Sequence, residues 1–321
     1  MYNSSNPSVT GTVYSSNTSI SSDETLDSVT INSGVTLTID SNASLTINNQ
    51  LENNGSIVLN SSSTEFSSLI AGSAVGSGTY TYNRYVSDTN TFDIVSAPFT
   101  GEDFDNLLSN NSGVIYDNPN DATQFVYGPF DNDLGAYVQY DSDTDGDETM
   151  DAGLGFRTGT DSGATLAFTG TFETSNVTEP ISLGTDATYG RWNLIGNPFP
   201  SYLDLNDFFT NNTGNLESGT TNGVYAYDGD DSDGSVWTIY NGNNSSGQYI
   251  APGQAFFVAS DSQTDVDVNF NTSWQSVSGT DDFLPGERRP NDDSFAQNAS
   301  SSNSKISLAL SFDGSKYAVP H

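Results

Sequence analysis

Ser28-Val-Thr-Ile31, Gly34-Val-Thr-Leu-Thr-Ile39, Ser44-Leu-Thr-Ile47 and Gly55-Ser-Ile-Val-Leu59 follow one another near the start of the chain. Within each run apolar and polar residues alternate, the period of a strand with one face buried. The runs recur roughly every six to twelve residues, parted by Asn, Ser, Asp and Gly. Short strands repeating between polar corners predict a small parallel β-solenoid over residues 1–85. Val29, Ile31, Val35, Leu37, Ile39, Leu45, Ile47, Ile57 and Leu59 are its expected inward set. An antiparallel meander would show the same alternation and is the competing arrangement.

Composition extends this reading to the whole chain. Of 321 residues, 34% are hydrophobic, which is low for a globular protein, but 12% are aromatic, and acidic disordered chains lack aromatics. Ser, Thr, Asn and Gly fill the polar remainder, and long Ala/Leu/Glu/Lys stretches are missing. β-branched and aromatic residues suit strands, while Asn, Asp, Ser and Gly suit turns, so the expected class is all-β.

The charge excludes whole classes of function. Seven Lys+Arg against 41 Asp+Glu give 7 − 41 = −34. Such a field repels nucleic acid and anionic membranes, and no eighteen-residue apolar run provides a membrane-inserting helix. Without cysteine there is no thiol nucleophile, disulfide or cysteine-based zinc site. The single histidine, His321, ends the sequence and is poorly placed to act as a general base. No nucleophile elbow, phosphate-binding loop or His-Glu-x-x-His motif occurs, so the chain is read as non-catalytic. A carboxylate-dependent glycosidase or lyase is the remote alternative.

Beyond residue 85 the chain repeats itself. Phe92-Asp-Ile-Val-Ser-Ala-Pro-Phe99 answers Trp192-Asn-Leu-Ile-Gly-Asn-Pro-Phe199. Phe104-Asp-Asn-Leu-Leu108 answers Leu205-Asn-Asp-Phe-Phe209, and Gly113-Val-Ile-Tyr116 answers Gly223-Val-Tyr-Ala-Tyr227. Tyr137-Val-Gln-Tyr140 answers Trp237-Thr-Ile-Tyr240, and Met150-Asp-Ala-Gly-Leu-Gly-Phe156 answers Ile250-Ala-Pro-Gly-Gln-Ala-Phe256. Alternating strands at Ala164–Phe172 and Asp265–Trp274 close the copies. Two homologous β-sandwich, jelly-roll-like domains are expected at 86–178 and 186–284, each with one short helix. Asp204 or Asn206 is the expected cap of the second helix. Residues 285–321 read as a polar linker and the beginning of a further strand.

Two features invite a ligand. Asp141-Ser-Asp143-Thr-Asp145-Gly-Asp147 begins as a calcium loop does, with Asp151 close behind, although the bidentate acid at position twelve is replaced by Ala152. The second copy has Asn241, Asn243 and Asn244 there, and its acids come earlier, at Asp228, Asp230, Asp231 and Asp233, a weaker calcium candidate. Tyr137 and Trp237, beside these loops, are candidates for stacking on a polysaccharide, with core packing as the alternative.

The blocks Tyr82-Asn-Arg-Tyr-Val86, Ser96-Ala-Pro-Phe99, Trp192-Asn-Leu-Ile-Gly-Asn-Pro-Phe-Pro-Ser201, Ile250-Ala-Pro-Gly-Gln-Ala-Phe-Phe-Val258 and Asp281-Asp-Phe283 resemble a region of large secreted or surface proteins of Bacteroidota that use the type IX secretion system. The resemblance implies a secreted or cell-surface location and further domains in the same parent chain. It carries no catalytic residues. Met1-Tyr-Asn-Ser-Ser5 lacks a basic segment followed by an apolar one, and the expectation is of an exported chain without its signal. The expected function is a structural or adhesive module that contacts a polysaccharide or surface protein. A carbohydrate-binding module is the runner-up.

Overall fold

The structure is a computed structural model that describes residues 11–86, 93–118, 120–160, 164–219, 221–227 and 237–279, without the side chains of Ala164 and Trp237. It is nearly all β. The N-terminal strands are β1 (Thr12–Tyr14), β2 (Thr18–Ile20), β3 (Glu24–Leu26), β4 (Val29–Ile31), β5 (Thr36–Ile39), β6 (Ser44–Asn53), β7 (Ser56–Asn60), β8 (Ser68–Val75) and β9 (Thr79–Val86). All pair in parallel, which rules out the meander. Thr12 lies beside Val29 and Val29 beside Leu51, while Thr36 lies beside Ser56 and Ser56 beside Thr79. The long β6 bends: its first half pairs with β3, its second with β4, and its register against β8 shifts between Ile47 and Gln50. The result is a solenoid of about three turns. All nine predicted inward residues are buried in its core.

Each repeat then builds a two-layer sandwich. In the first, β10 (Asp93–Ser96), β13 (Tyr127–Asp131), β14 (Ala136–Tyr137) and β15 (Gly155–Thr158) form an antiparallel sheet of order β10-β15-β13-β14, with the hairpin β11 (Asp117–Asn118) and β12 (Asp121–Phe125) beside it. Strand β16 (Ala164–Thr169) pairs with β9. In the second, β17 (Val177–Ile181), β18 (Trp192–Gly196), β19 (Tyr202–Asp204), β20 (Val224–Tyr227), β21 (Trp237–Tyr240), β22 (Tyr249–Ile250), β23 (Ala255–Ala259), β24 (Val266–Phe270) and β25 (Gln275–Ser276) give the sheets β18-β23-β20-β21, β17-β24 and β22-β19-β25. The two four-stranded sheets have one topology, and β9-β16 corresponds to β17-β24.

Two differences from the sequence reading follow. First, each repeat starts one strand earlier than residues 86 and 186, at β9 and β17. Strand β9 is paired on both edges, with β7 of the solenoid and with β16 of the first repeat, so one sheet runs through both units. Second, Gly113–Tyr116 does not occupy the place of Gly223–Tyr227. Tyr116 donates its N–H to Gly159 O as Glu217 donates to Ala259 O, so this segment matches the one just after the second helix. The strand matching β20 is β13, displaced along the chain by the β11–β12 hairpin.

The helices α1 (Phe104–Asn110) and α2 (Leu205–Asn212) are N-capped by Asp103 and Asp204, whose carboxylates accept N–H bonds from Asn106 at 2.8 Å and Asp207 at 3.0 Å. Both helices turn aromatic and leucine side chains into the sandwich core, Phe104 and Leu107 in one, Leu205, Phe208 and Phe209 in the other. Phe99, in the first Pro-Phe turn, instead closes the solenoid end with Tyr80 and Phe172, each 5.7 Å from the Tyr80 ring. Its counterpart Phe199 stays in the core of its own sandwich.

Candidate functional site

Tyr137, one of the candidate ligand-binding residues, lies where the two repeats meet. The four-stranded sheets face each other through Ile94 of the first and Trp192, Leu194, Tyr225, Ala255, Phe257 and Ala259 of the second. The opposite faces of the same strands carry Val95, Ile195 and Phe256 into the sandwich cores. Burial on both faces explains why these strands read as unbroken apolar runs, where a half-exposed strand would alternate.

The contact is a pseudo-two-fold. Ser96 N–H donates to Gly253 O at 2.9 Å, and Gly196 N–H donates to Gly153 O at 2.8 Å. Val95 bridges Gln254, and Leu154 bridges Ile195. Every pair returns with its members exchanged and shifted by one copy, the signature of an isologous interface, here within one chain. The approach demands glycine: a Cβ on Gly196 would fall 2.3 Å from Ser96 Cβ, and one on Gly155 would fall 2.6 Å from Leu194 Cγ.

Tyr137 belongs to this interface. Its ring stands edge-on to Phe130 at 5.3 Å and to Phe257 at 6.2 Å, and the Arg157 guanidinium lies 4.5 Å from its centroid. Burial pushes its hydroxyl pKa well above the ordinary tyrosine range. Strand pairing makes Tyr137 and Trp237 true equivalents, since Tyr137 lies opposite Phe130 as Trp237 lies opposite Tyr227. The Trp237 side chain lies outside the described residues.

The Asp141–Asp151 loop is a turn closed by its own carboxylates. Asp141 Oδ1 accepts the Asp143 N–H at 2.9 Å, and Asp145 Oδ2 accepts the Asp141 N–H at 2.8 Å. Asp151 is separate and accepts from Thr149 Oγ1 at 2.8 Å. Among the described residues, no group of three or more acidic or histidine side chains is placed to hold a metal ion. The second copy builds the same turn from amides: Asn241 Oδ1 accepts the Asn243 N–H at 2.9 Å, and Asn244 Oδ1 accepts the Asn241 N–H at 2.7 Å. Asp228, Asp230, Asp231 and Asp233 lie outside the described residues.

Three of the buried polar side chains that the sequence reading did not single out, Asn111, Asn212 and Glu102, tie the helices to neighbouring strands. Asn111 and Asn212 end their helices and each brackets a neighbouring strand: Asn111 bonds both the carbonyl and N–H of Ala167, Asn212 both those of Asn269. The repeat alignment contains the signal, because Leu107-Leu-Ser-Asn-Asn111 and Phe208-Phe-Thr-Asn-Asn212 end alike. Glu102, buried beside α1, accepts the N–H of Thr169 at 2.9 Å, its Oγ1 at 2.6 Å and Asn110 Nδ2 at 2.9 Å. Burial raises its pKa, and these donors partly offset the rise. It occurs in one copy only, so the repeat gives no hint of it.

No curated protein and no solved structure matches the chain. One family model does, over residues 4–311, and by that match the chain belongs to the family described as a domain of unknown function, DUF8693.

Proposed function

We propose that the chain is a non-catalytic structural module of a secreted or cell-surface protein, built to hold a fixed shape between neighbouring parts of its parent. The observation that carries this reading is the double pairing of β9, which merges the solenoid and the first repeat into one sheet. The second repeat is tied to the first by reciprocal main-chain bonds and a shared apolar layer. Such a body resists bending, because each junction is a packed and hydrogen-bonded sheet where a linker would swivel.

The polar groups support the same reading. Asn111, Asn212 and Glu102 fasten helices to strands, and Tyr137 packs between repeats. Export rests on the sequence blocks that resemble a region of surface proteins and on the acidic, cysteine-free composition. Calcium at Asp141, Asp143, Asp145 and Asp147 enters the proposal as an addition to a turn that already closes on its own backbone. An adhesive role toward polysaccharide or a surface protein is part of the proposal. A glycan array tests it: selective binding to one polysaccharide makes the chain a carbohydrate-binding module, and absence of binding across the array leaves the structural role.

A further inference from the structure

Arg84 in β9 and Glu179 in β17 hold the same position in the two repeats. Arg84 lies opposite Leu166, the residue before Ala167, and Glu179 lies opposite Val268, the residue before Asn269. Ala167 and Asn269 are the strand residues gripped by the two helix-end asparagines, so the equivalence is fixed by hydrogen bonding as well as by pairing.

Each of these charged side chains lies against the glycine turn of the other repeat. A Cβ on Gly253 would fall 3.6 Å from Arg84 Cδ. A Cβ on Gly153 would fall 3.1 Å from Glu179 Cβ and 3.5 Å from its Oε2. Gly153 and Gly253 supply the two carbonyl acceptors of the pseudo-two-fold, accepting from the N–H groups of Gly196 and Ser96 respectively. The symmetry is therefore broken chemically at the point where it is closest geometrically.

Arg84 is wholly buried, donates to Tyr85 O, and lies 4.4 Å from the centre of the Phe66 ring. Its charge is permanent at any physiological pH. Glu179 differs. It lies against the Gly153 turn, which the Phe270 ring edge also approaches, and opposite Val268, and the titratable group that acts on it is Asp151 of the same turn. Burial first, and the Asp151 charge second, push its pKa up to about 8.

We propose that Glu179 is a pH-operated latch on one side of the repeat junction: neutral, it seats the Gly153 turn against β18, and ionised, it repels Asp151 and loosens that turn. The opposite side, held by Arg84 beneath Gly253, does not respond. The fold thus contains both the switch and its internal control.

Amide hydrogen exchange on the full chain, followed by NMR and corrected for intrinsic rates, reads both sides at once. From about pH 6 to about pH 9 the protection of the Gly196 N–H falls about tenfold while that of Ser96 N–H stays level. Glu179→Gln keeps the neutral shape and abolishes the fall, and Asp151→Asn moves its midpoint down. The carboxyl carbon shift of Glu179 in the unaltered chain gives the midpoint directly. Parallel behaviour of Gly196 and Ser96, a fall that persists in Glu179→Gln, or a Glu179 midpoint at the ordinary glutamate value would each overturn the proposal.

Discussion

Asn212 closes helix α2 and grips Asn269 of the neighbouring strand at both polar ends of its peptide: the Asn212 amide donates to Asn269 O at 2.9 Å, and Asn212 Oδ1 accepts the Asn269 N–H at 2.8 Å. The same amide also donates to Phe208 O within the helix. The side chain is fully buried, so nothing else can satisfy these groups once it is gone. Asn212→Ala is expected to cost about 2–4 kcal/mol, the penalty for several buried unpaired polar groups, and Asn111→Ala a similar amount. Denaturant unfolding of each variant measures this. A cost below about 0.5 kcal/mol would show that the clamp is incidental.

Gly196 is ordinary in backbone conformation and indispensable in volume. Gly196→Ala places a methyl group 2.3 Å from Ser96 Cβ, across the repeat junction. The expected destabilisation is about 1–3 kcal/mol, typical of overpacking. Ser96→Gly in the same chain should recover part of it, because it removes the atom that is struck. Thermal melting of the single and double variants checks both statements.

The acidic loop should keep its shape without metal. Asn241 performs for the second copy the backbone capping that Asp141 performs for the first, so Asp141→Asn is expected to change stability by less than about 0.5 kcal/mol. A chelator should leave the melting temperature unchanged. Isothermal titration with calcium tests the outer carboxylates separately, and heat with a rise in melting temperature would mark calcium as a structural part of the loop.

Glu179 also gives a stability difference with a definite sign. Its folded pKa of about 8 exceeds the ordinary 4.5, so between these values the folded state binds more protons than the unfolded chain. Stability contributed by the neutral group is then complete below about pH 4.5 and is lost as pH rises through about 8. The side chain keeps some contact with solvent, which reduces the effect. Relative to Glu179→Gln, the unaltered chain should lose on the order of 3 kcal/mol across that window. Urea midpoints at a series of pH values give the difference.

Much of this architecture was legible in residue order. The solenoid declared itself because Val29, Leu37, Leu45 and Ile57 alternate with solvated residues, the pattern that one-sided burial imposes. The doubling was equally plain, because Pro98-Phe99 and Pro198-Phe199 recur with their neighbours. What stayed hidden depends on contacts far apart in sequence. Nothing local to Thr79–Val86 says that the strand has two paired edges, and nothing local to Tyr137 says that Phe257 covers it. The mispairing of Gly113–Tyr116 with Gly223–Tyr227 came from matching Gly-Val starts, while an inserted hairpin had moved the true counterpart to Tyr127. Arg84 and Glu179 escaped notice because equivalent positions with opposite charge look unrelated until pairing aligns them.

The central claim is that the solenoid and both repeats form one body, joined by β9 and by the reciprocal bonds of Ser96 and Gly196. Scanning calorimetry tests it most directly. The account predicts a single unfolding transition whose calorimetric and van't Hoff enthalpies agree. Separate transitions for the solenoid and the repeats, or a calorimetric enthalpy well above the van't Hoff value, would contradict it.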